Sequence, residues 1–160
     1  MFKRRTSYVN DQFSSTLRDQ TTFYPSFQHD LKNCNSELII ESPFITTSRI
    51  NELLPLIRKL SKRGVKIYIN TRDPIEHDPE YAAQAYDAVA RLQALGVRVL
   101  FTVKHHRKLA IIDRQIIWEG SLNILSYSNS CEIMRRMLSS ALADELIGFI
   151  KLTTYTGSSL

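Results

Sequence analysis

Residues 105–123, HHRKLAIIDRQIIWEGSLN, set two histidines, a lysine, an aspartate and a Gly-Ser-Leu-Asn run around two apolar stretches. In extended chain, residues i and i+2 point the same way, so His106 and Lys108 project from one face, about 7 Å apart along the strand. An imidazole so placed can attack phosphorus while the ammonium neutralises a phosphate oxygen. Arg107, Leu109 and Ile111 point to the opposite side. Asp113 falls at the strand end. Gly120 lets the backbone approach a ligand closely. The Ser121 hydroxyl and the Asn123 amide then offer uncharged donors to phosphate oxygens.

Cations crowd this stretch in sequence: Lys104, Arg107, Arg114, Arg135 and Arg136. Together they suit a groove for a phosphodiester backbone, although any one of them equally suits a solvated basic face. Tyr127 is an aromatic ring on which a base can stack; loop packing is the alternative. His105 is a neighbour of His106 with no chemistry of its own, and Trp118 faces the core. Glu41 in IIES is either a polar strand end or a group behind the site, and sequence alone leaves both open.

The elements that must hold these groups follow from periodicity. YPSFQHDLKNCN, with Phe27 and Leu31 at i, i+4, reads as a short helix. ELIIES is a strand ended before Pro43. TSRINELLPLIRKLSKRG is a helix with cap residues at its start and Gly64 at its stop, in which Pro55 predicts a kink or a late start. VKIYIN is a strand. DPEYAAQAYDAVARLQALG is a helix with Asp78 at its N-cap, Pro79 in its first position and Gly96 at its end. VRVLFTV is a third strand. RKLAIID and IIWEG form a hairpin about an Arg114–Gln115 turn, CEIMRRML is one more strand, and SALADELIGFIKL closes the chain as a helix with Leu142, Leu146 and Phe149 on one face. The expected fold class is α/β, a mixed, mostly parallel β-sheet sandwiched between helices. Residues 1–22 are expected to be poorly structured or peripheral, with Lys3, Arg4 and Arg5 as a loose basic arm; the domain spans 23–160.

Bulk properties set bounds on partners. The 160 residues are 43% hydrophobic and 23% charged, enough for one domain with a proper core. No apolar run nears the roughly 20 residues of a membrane span, and the first residues lack a signal-length apolar core, which predicts a cytoplasmic protein. Cys34 and Cys131 are expected as free buried thiols, with no metal-ligand spacing to any Cys or His. A net charge of +5 and a pI of about 9.3 lean toward an anionic partner, nucleic acid before membrane surface.

The string His106-x-Lys108-x4-Asp113-x6-Gly120-Ser121-x-Asn123 resembles the HxKxxxxD signature of the phospholipase D superfamily followed by its GSxN element. ELIIESPFI, KRGVKIYI and VRVLF resemble the usual run-up to that motif, so the resemblance covers roughly residues 20–152. It implies metal-independent phosphodiester hydrolysis without a cofactor. One histidine forms a covalent phosphohistidine, and a second, from another copy of the motif, protonates the leaving oxygen. This chain carries one motif, and small single-motif members pair as two-fold homodimers. Such members are mostly nucleases, which makes DNA the expected partner, with RNA open. The resemblance also makes Glu132 the counterpart of an acidic residue that orients the histidine, and assigns Asp113 to ion pairing near the site. A non-catalytic DNA-binding module of the same fold and a phospholipase or phosphatidyltransferase remain as alternatives. The sequence contains no base-reading motif, so any sequence specificity would come from a fused domain or a larger DNA-processing partner.

Overall fold

A computed structural model describes residues 14–151, and it begins with a strand that carries almost no apolar signal. Ser14–Asp19 (β1) contains a single leucine. The chain continues through Phe23–Lys32 (α1), Glu37–Glu41 (β2), Thr47–Lys62 (α2), Lys66–Arg72 (β3), Pro79–Gln93 (α3), Arg98–Thr102 (β4), Leu109–Ile112 (β5), Ile116–Gly120 (β6), Ile133–Leu138 (β7) and Ser140–Ile150 (α4). The basic arm at Lys3–Arg5 lies outside the described residues. Residues 6–13 lie outside them too; within 14–22, β1 takes a peripheral place as an edge strand beside β7.

The seven strands form one sheet in the order β1-β7-β6-β5-β2-β3-β4. The sheet is mixed, but antiparallel pairing prevails, which corrects the expectation of a mostly parallel one. Only β2–β3 and β3–β4 run parallel, across the α2 and α3 crossovers. β5, β6 and β7 fold as a meander, and β5 joins β2 in antiparallel register. Two strands of nearly unbroken apolar sequence, ELIIE and LAII, therefore meet at the sheet's centre. Their residues are almost all buried, as strands covered on both faces require.

Helices cover both faces. Phe23, Phe27 and Leu31 of α1, Ile50, Leu53, Ile57 and Leu60 of α2, and Ala88, Val89 and Leu92 of α3 share one core with Leu38, Ile40, Ile67, Ile69 and Trp118. Phe23 and Phe27 meet the Trp118 ring edge-on at 5.1 and 6.4 Å, and the Trp118 indole N–H donates to buried Asp30 at 2.8 Å. The other face is thinner: α4 alone packs there, through Ala143, Ile147 and Ile150, on Ile39, Leu109, Ile111 and Ile117. The apolar face of α4 is thus rotated from the expected one, and Phe149 stands 74% exposed. Among the described residues no helix is long and apolar enough to cross a membrane.

Local rules explain most boundaries. Asp78 caps α3 by accepting from the Tyr81 amide at 3.2 Å, and Pro79 occupies the first turn. Pro55 neither delays nor breaks α2, which runs unbroken from Thr47. Both Pro55 and Asn51, whose carbonyl loses its amide partner, are exposed, so water can take the missing donor's place. The β5–β6 turn is centred on Asp113–Arg114, one residue earlier than expected. Both residues have positive φ, 51° and 54°, and the Gln115 amide closes the turn on the Ile112 carbonyl at 3.1 Å.

Candidate active site

Register alone brings the chemistry to one edge of the sheet. β5 opposes β2 with Leu109 beside Glu41, so the residues just before β5 lie at the carboxyl ends of β2 and β3. Leu109 also pairs with Glu119, which sets Gly120–Ser121 at the same edge. Gly120 pairs with Met134 and Asp19 with Ile133, adding Glu132 and Gln20. Loops at the carboxyl ends of parallel strands are where open α/β sheets bind ligands.

His106 and Lys108 stand in irregular chain that precedes β5, not in the strand itself. Their side chains nevertheless meet, as i, i+2 spacing predicted. Lys108 Nζ lies 3.2 Å from His106 Nδ1 and 3.5 Å from Nε2, and it donates to the His106 carbonyl at 2.8 Å. Partial burial lowers the Lys108 pKa; the nearby Glu132 carboxylate opposes this, and Arg72 reinforces it.

Irregular chain needs tethers to hold a side chain still, and two arginines supply them. Arg72 donates twice to the His105 carbonyl, at 3.1 and 2.9 Å. Arg107 forms a two-pronged pair with Glu41, its Nη2 at 2.9 Å from Oε1 and its Nε close to Oε2. Glu41 is fully buried and also accepts from the Asn70 amide at 3.1 Å. Its Arg107 pair makes it a supporting group behind the site, the reading that sequence left open. Arg107 lines the cleft beside His106 but brings a charge already balanced by Glu41. His105 is buried, its Nε2 has no partner, and burial lowers its pKa, keeping the ring neutral. Asn70 and Arg72 escaped the sequence reading, in which Glu41 entered only as one of two alternatives. A glutamate ending the apolar run ELIIE was the one available signal.

Ser121 and Glu132 form the second half of the site. The Ser121 hydroxyl donates to Glu132 Oε2 in a short hydrogen bond and accepts from the Ile133 amide at 3.0 Å. Ser130 donates to Glu132 Oε1 at 2.6 Å. Glu132 is held by two serines rather than by a histidine ring, and its charge acts on Lys108. Gly120 makes the arrangement possible: a Cβ there would sit 2.0 Å from the Ile133 carbonyl oxygen. Asn123 follows in the same loop, with its Oδ1 buried and unpartnered.

An open cleft of about 820 Å³ joins His106, Arg107, Lys108, Gly120, Ser121 and Arg135. Arg135 keeps its place at the cleft while bonding Ser15 at 2.6 Å. Leu17, Ile133 and Phe149 form an apolar rim.

Other expected site residues lie elsewhere. Asp113 is at the opposite edge, about 13 Å away along the four residues of β5 at ~3.3 Å each. It makes no ion pair among the described residues. Its carboxylate instead accepts from the amides of Asn35, Ser36 and Glu37 and from the Ser36 hydroxyl, at 2.8 to 3.0 Å. Burial works against its ionisation but is outweighed by these four donors, which hold its pKa at about 2. Asp113 thus clamps the 34–37 loop, away from the cleft. Arg114 shares that edge and pairs with Glu37 at 2.8 Å, so it is not a groove cation. Lys104, at φ 56°, anchors its own amide on the Glu76 carboxylate, outside the cleft lining. Arg136 points into the opposite face, where it pairs with Asp30 at 2.8 and 2.9 Å. Tyr127 borders a separate, smaller cavity at the same edge. Of the cysteines, Cys34 is buried with its thiol pushed up to about 12, chiefly by burial, while Cys131 is exposed against expectation. Among the described residues no group of three or more His, Cys, Asp or Glu is placed to hold a metal ion.

The family model described as "Cardiolipin synthase, PLD-like domain" matches residues 27–150. No curated protein matches the chain by sequence. Among solved structures, NucT from Helicobacter pylori superposes with a TM-score of 0.70 at 16% identity, over 88% of this chain and 94% of NucT. Nuc from Salmonella typhimurium, a phospholipase D family member, superposes with a TM-score of 0.69 at 14% identity, over 86% and 91% of the two chains. The archaeal chromatin protein TrmBL2, described as showing a novel mode of DNA binding, gives 0.59 at 10% identity over 94% of this chain and 54% of its own. At these identities the likeness is one of fold.

Proposed function

The chain belongs to the phospholipase D-like domain family, and from that premise we propose that it is a metal-independent phosphodiesterase that hydrolyses DNA through a covalent phosphohistidine at His106. Members of this superfamily are phosphodiesterases, and the fold neighbours include nucleases. The observation that carries the reading is the contact of Lys108 Nζ with the His106 ring at 3.2 Å, at the mouth of the cleft. A ring nitrogen of His106 attacks phosphorus, forming an N–P bond as the P–O bond to the leaving group breaks. Lys108 and Ser121 hold the non-bridging oxygens, where the developing charge gathers. A second imidazole delivers a proton to the leaving oxygen, and water then displaces the phosphoryl group from His106.

One chain supplies one such histidine in this cleft. A two-fold homodimer supplies the other as His106 of a second copy, and the exposed apolar rim of Leu17, Ile133 and Phe149 suits burial against that copy. Glu132, held beside Lys108, positions the charged groups rather than transferring a proton.

The test is cleavage of supercoiled plasmid and single-stranded DNA in EDTA, wild type beside His106→Ala. Cleavage by wild type alone supports the reading. Failure of the wild type, or equal cleavage by the variant, overturns it. The apolar rim also favours a second reading, attack of the same His106 on a phospholipid phosphodiester, in keeping with the lipid synthase in the matched family's description. Vesicles of anionic phospholipid turned over in place of DNA would select it.

A further inference from the structure

The site leaves unused a second cavity, of about 190 Å³, on the α1–α2 side of the same sheet edge. This is below the ~300 Å³ of an ordinary small-molecule pocket, so it fits one group of a longer ligand. Arg49 lies within it. That residue is only 8% exposed, and its guanidinium rests on the Tyr24 ring at 3.4 Å. One end pairs with Glu52, but Nε has no partner among the described residues. A buried guanidinium N–H without an acceptor is costly, and a ligand acceptor would relieve it. Above it stands Tyr127, 61% exposed, with its ring centre 5.8 Å from the guanidinium. The Tyr127 backbone is fixed by its amide on the Thr46 hydroxyl at 2.9 Å, so the ring is presented from a held loop.

The cavity is tied to the catalytic cleft. Gln20, which lines it, accepts from the Glu132 amide at 2.9 Å. Ser128, also in the lining, bonds Ser130 at 2.9 Å, and Ser130 bonds Glu132. Leu122 lies in its wall, between Ser121 and Asn123.

We propose that this cavity is a nucleotide subsite: a strand held by its phosphate at His106 and Lys108 crosses the sheet edge and stacks one unpaired base on Tyr127, with an acceptor of that nucleotide on Arg49 Nε. The inference rests on the nuclease reading above and adds to it a requirement for a single-stranded nucleotide beside the scissile phosphate. A base in a duplex is already stacked on its neighbours and cannot enter. The Ser128 hydroxyl and the Asn129 side chain supply polar edges without a base-specific pattern, so the subsite tolerates any base, as aromatic platforms do.

The experiment measures kcat/KM on short single-stranded oligonucleotides carrying one abasic residue, stepped through the positions flanking the cut. At one or two adjacent positions the wild type is expected to lose about 5- to 150-fold against the intact strand, the range that one stacked base is worth. Tyr127→Phe keeps that penalty. Tyr127→Ala reduces the intact-to-abasic ratio to about one, and the exposed position of this ring makes the variant tolerable to the fold. Arg49→Lys, which keeps the charge but loses Nε and the planar stack, reduces the ratio in part. Cleavage with no abasic position mattering, or with a penalty that survives in Tyr127→Ala, overturns the subsite and leaves the nuclease reading standing. Absence of cleavage on every strand, intact or abasic, overturns both.

Discussion

In the proposed mechanism His106 and Lys108, in contact at 3.2 Å, do different jobs, and their substitutions should separate. There Lys108 would supply charge to the phosphate oxygens, so Lys108→Ala should lower kcat by about 10²–10³-fold, with a smaller change in KM. Steady-state kinetics on one oligonucleotide check this, and a loss confined to KM would mean that Lys108 only binds. Asp113 belongs to stability instead. Its folded pKa of about 2 lies below the ordinary 3.8, so its contribution is fully present above pH ~4 and is lost as pH falls toward 2. Denaturation midpoints of wild type and Asp113→Asn should therefore differ at pH 6 and converge between pH 4 and 2, while activity at pH 7 changes little. A gap that is constant with pH would contradict the clamp. The motif spacing was legible because it is covalent. What Asp113 does was not, because four strand residues carry it to the far edge, where the 34–37 amides wait.

At the scale of elements, the β6–β7 ladder leaves no room for a side chain at Gly120. A Cβ on Gly120 would press on the Ile133 carbonyl at 2.0 Å, so Gly120→Ala must break the pairing or shift β7, at a cost of about 1–3 kcal/mol. Urea denaturation measures it, and a loss under 0.5 kcal/mol would show that the ladder adapts freely. The helices were readable mainly from their periodicity: a side-chain N-cap forms at α3 and α4, but at neither α1 nor α2, whose cap residues make no such bond. β1 was not, since SSTLRD has one leucine and owes its strand form to the open edge of β7. Strand direction was hidden too: LAII has the same apolar pattern in either sense, and only its pairing with β2 makes it antiparallel. Phe149 was assigned to the buried face of α4 because helical spacing gives a stripe without saying where the sheet touches it.

For the whole molecule, the account needs two copies. Light scattering should give twice the 18.5 kDa chain mass, and Ile133→Glu, at the exposed apolar rim, should lower mass and activity together. A fully active monomer would contradict the shared site. In the sequence the proposed partnership rests only on an odd number, one motif where the proposed chemistry uses two histidines. The most direct measurement is mass spectrometry, under alkaline conditions that preserve an N–P bond, of the wild type quenched in alkaline denaturant during turnover on a single-stranded oligonucleotide in EDTA. The account predicts a substrate-derived phosphoryl adduct on His106 that is absent from His106→Ala. Turnover without any adduct on His106, or with the adduct on another residue, would contradict it.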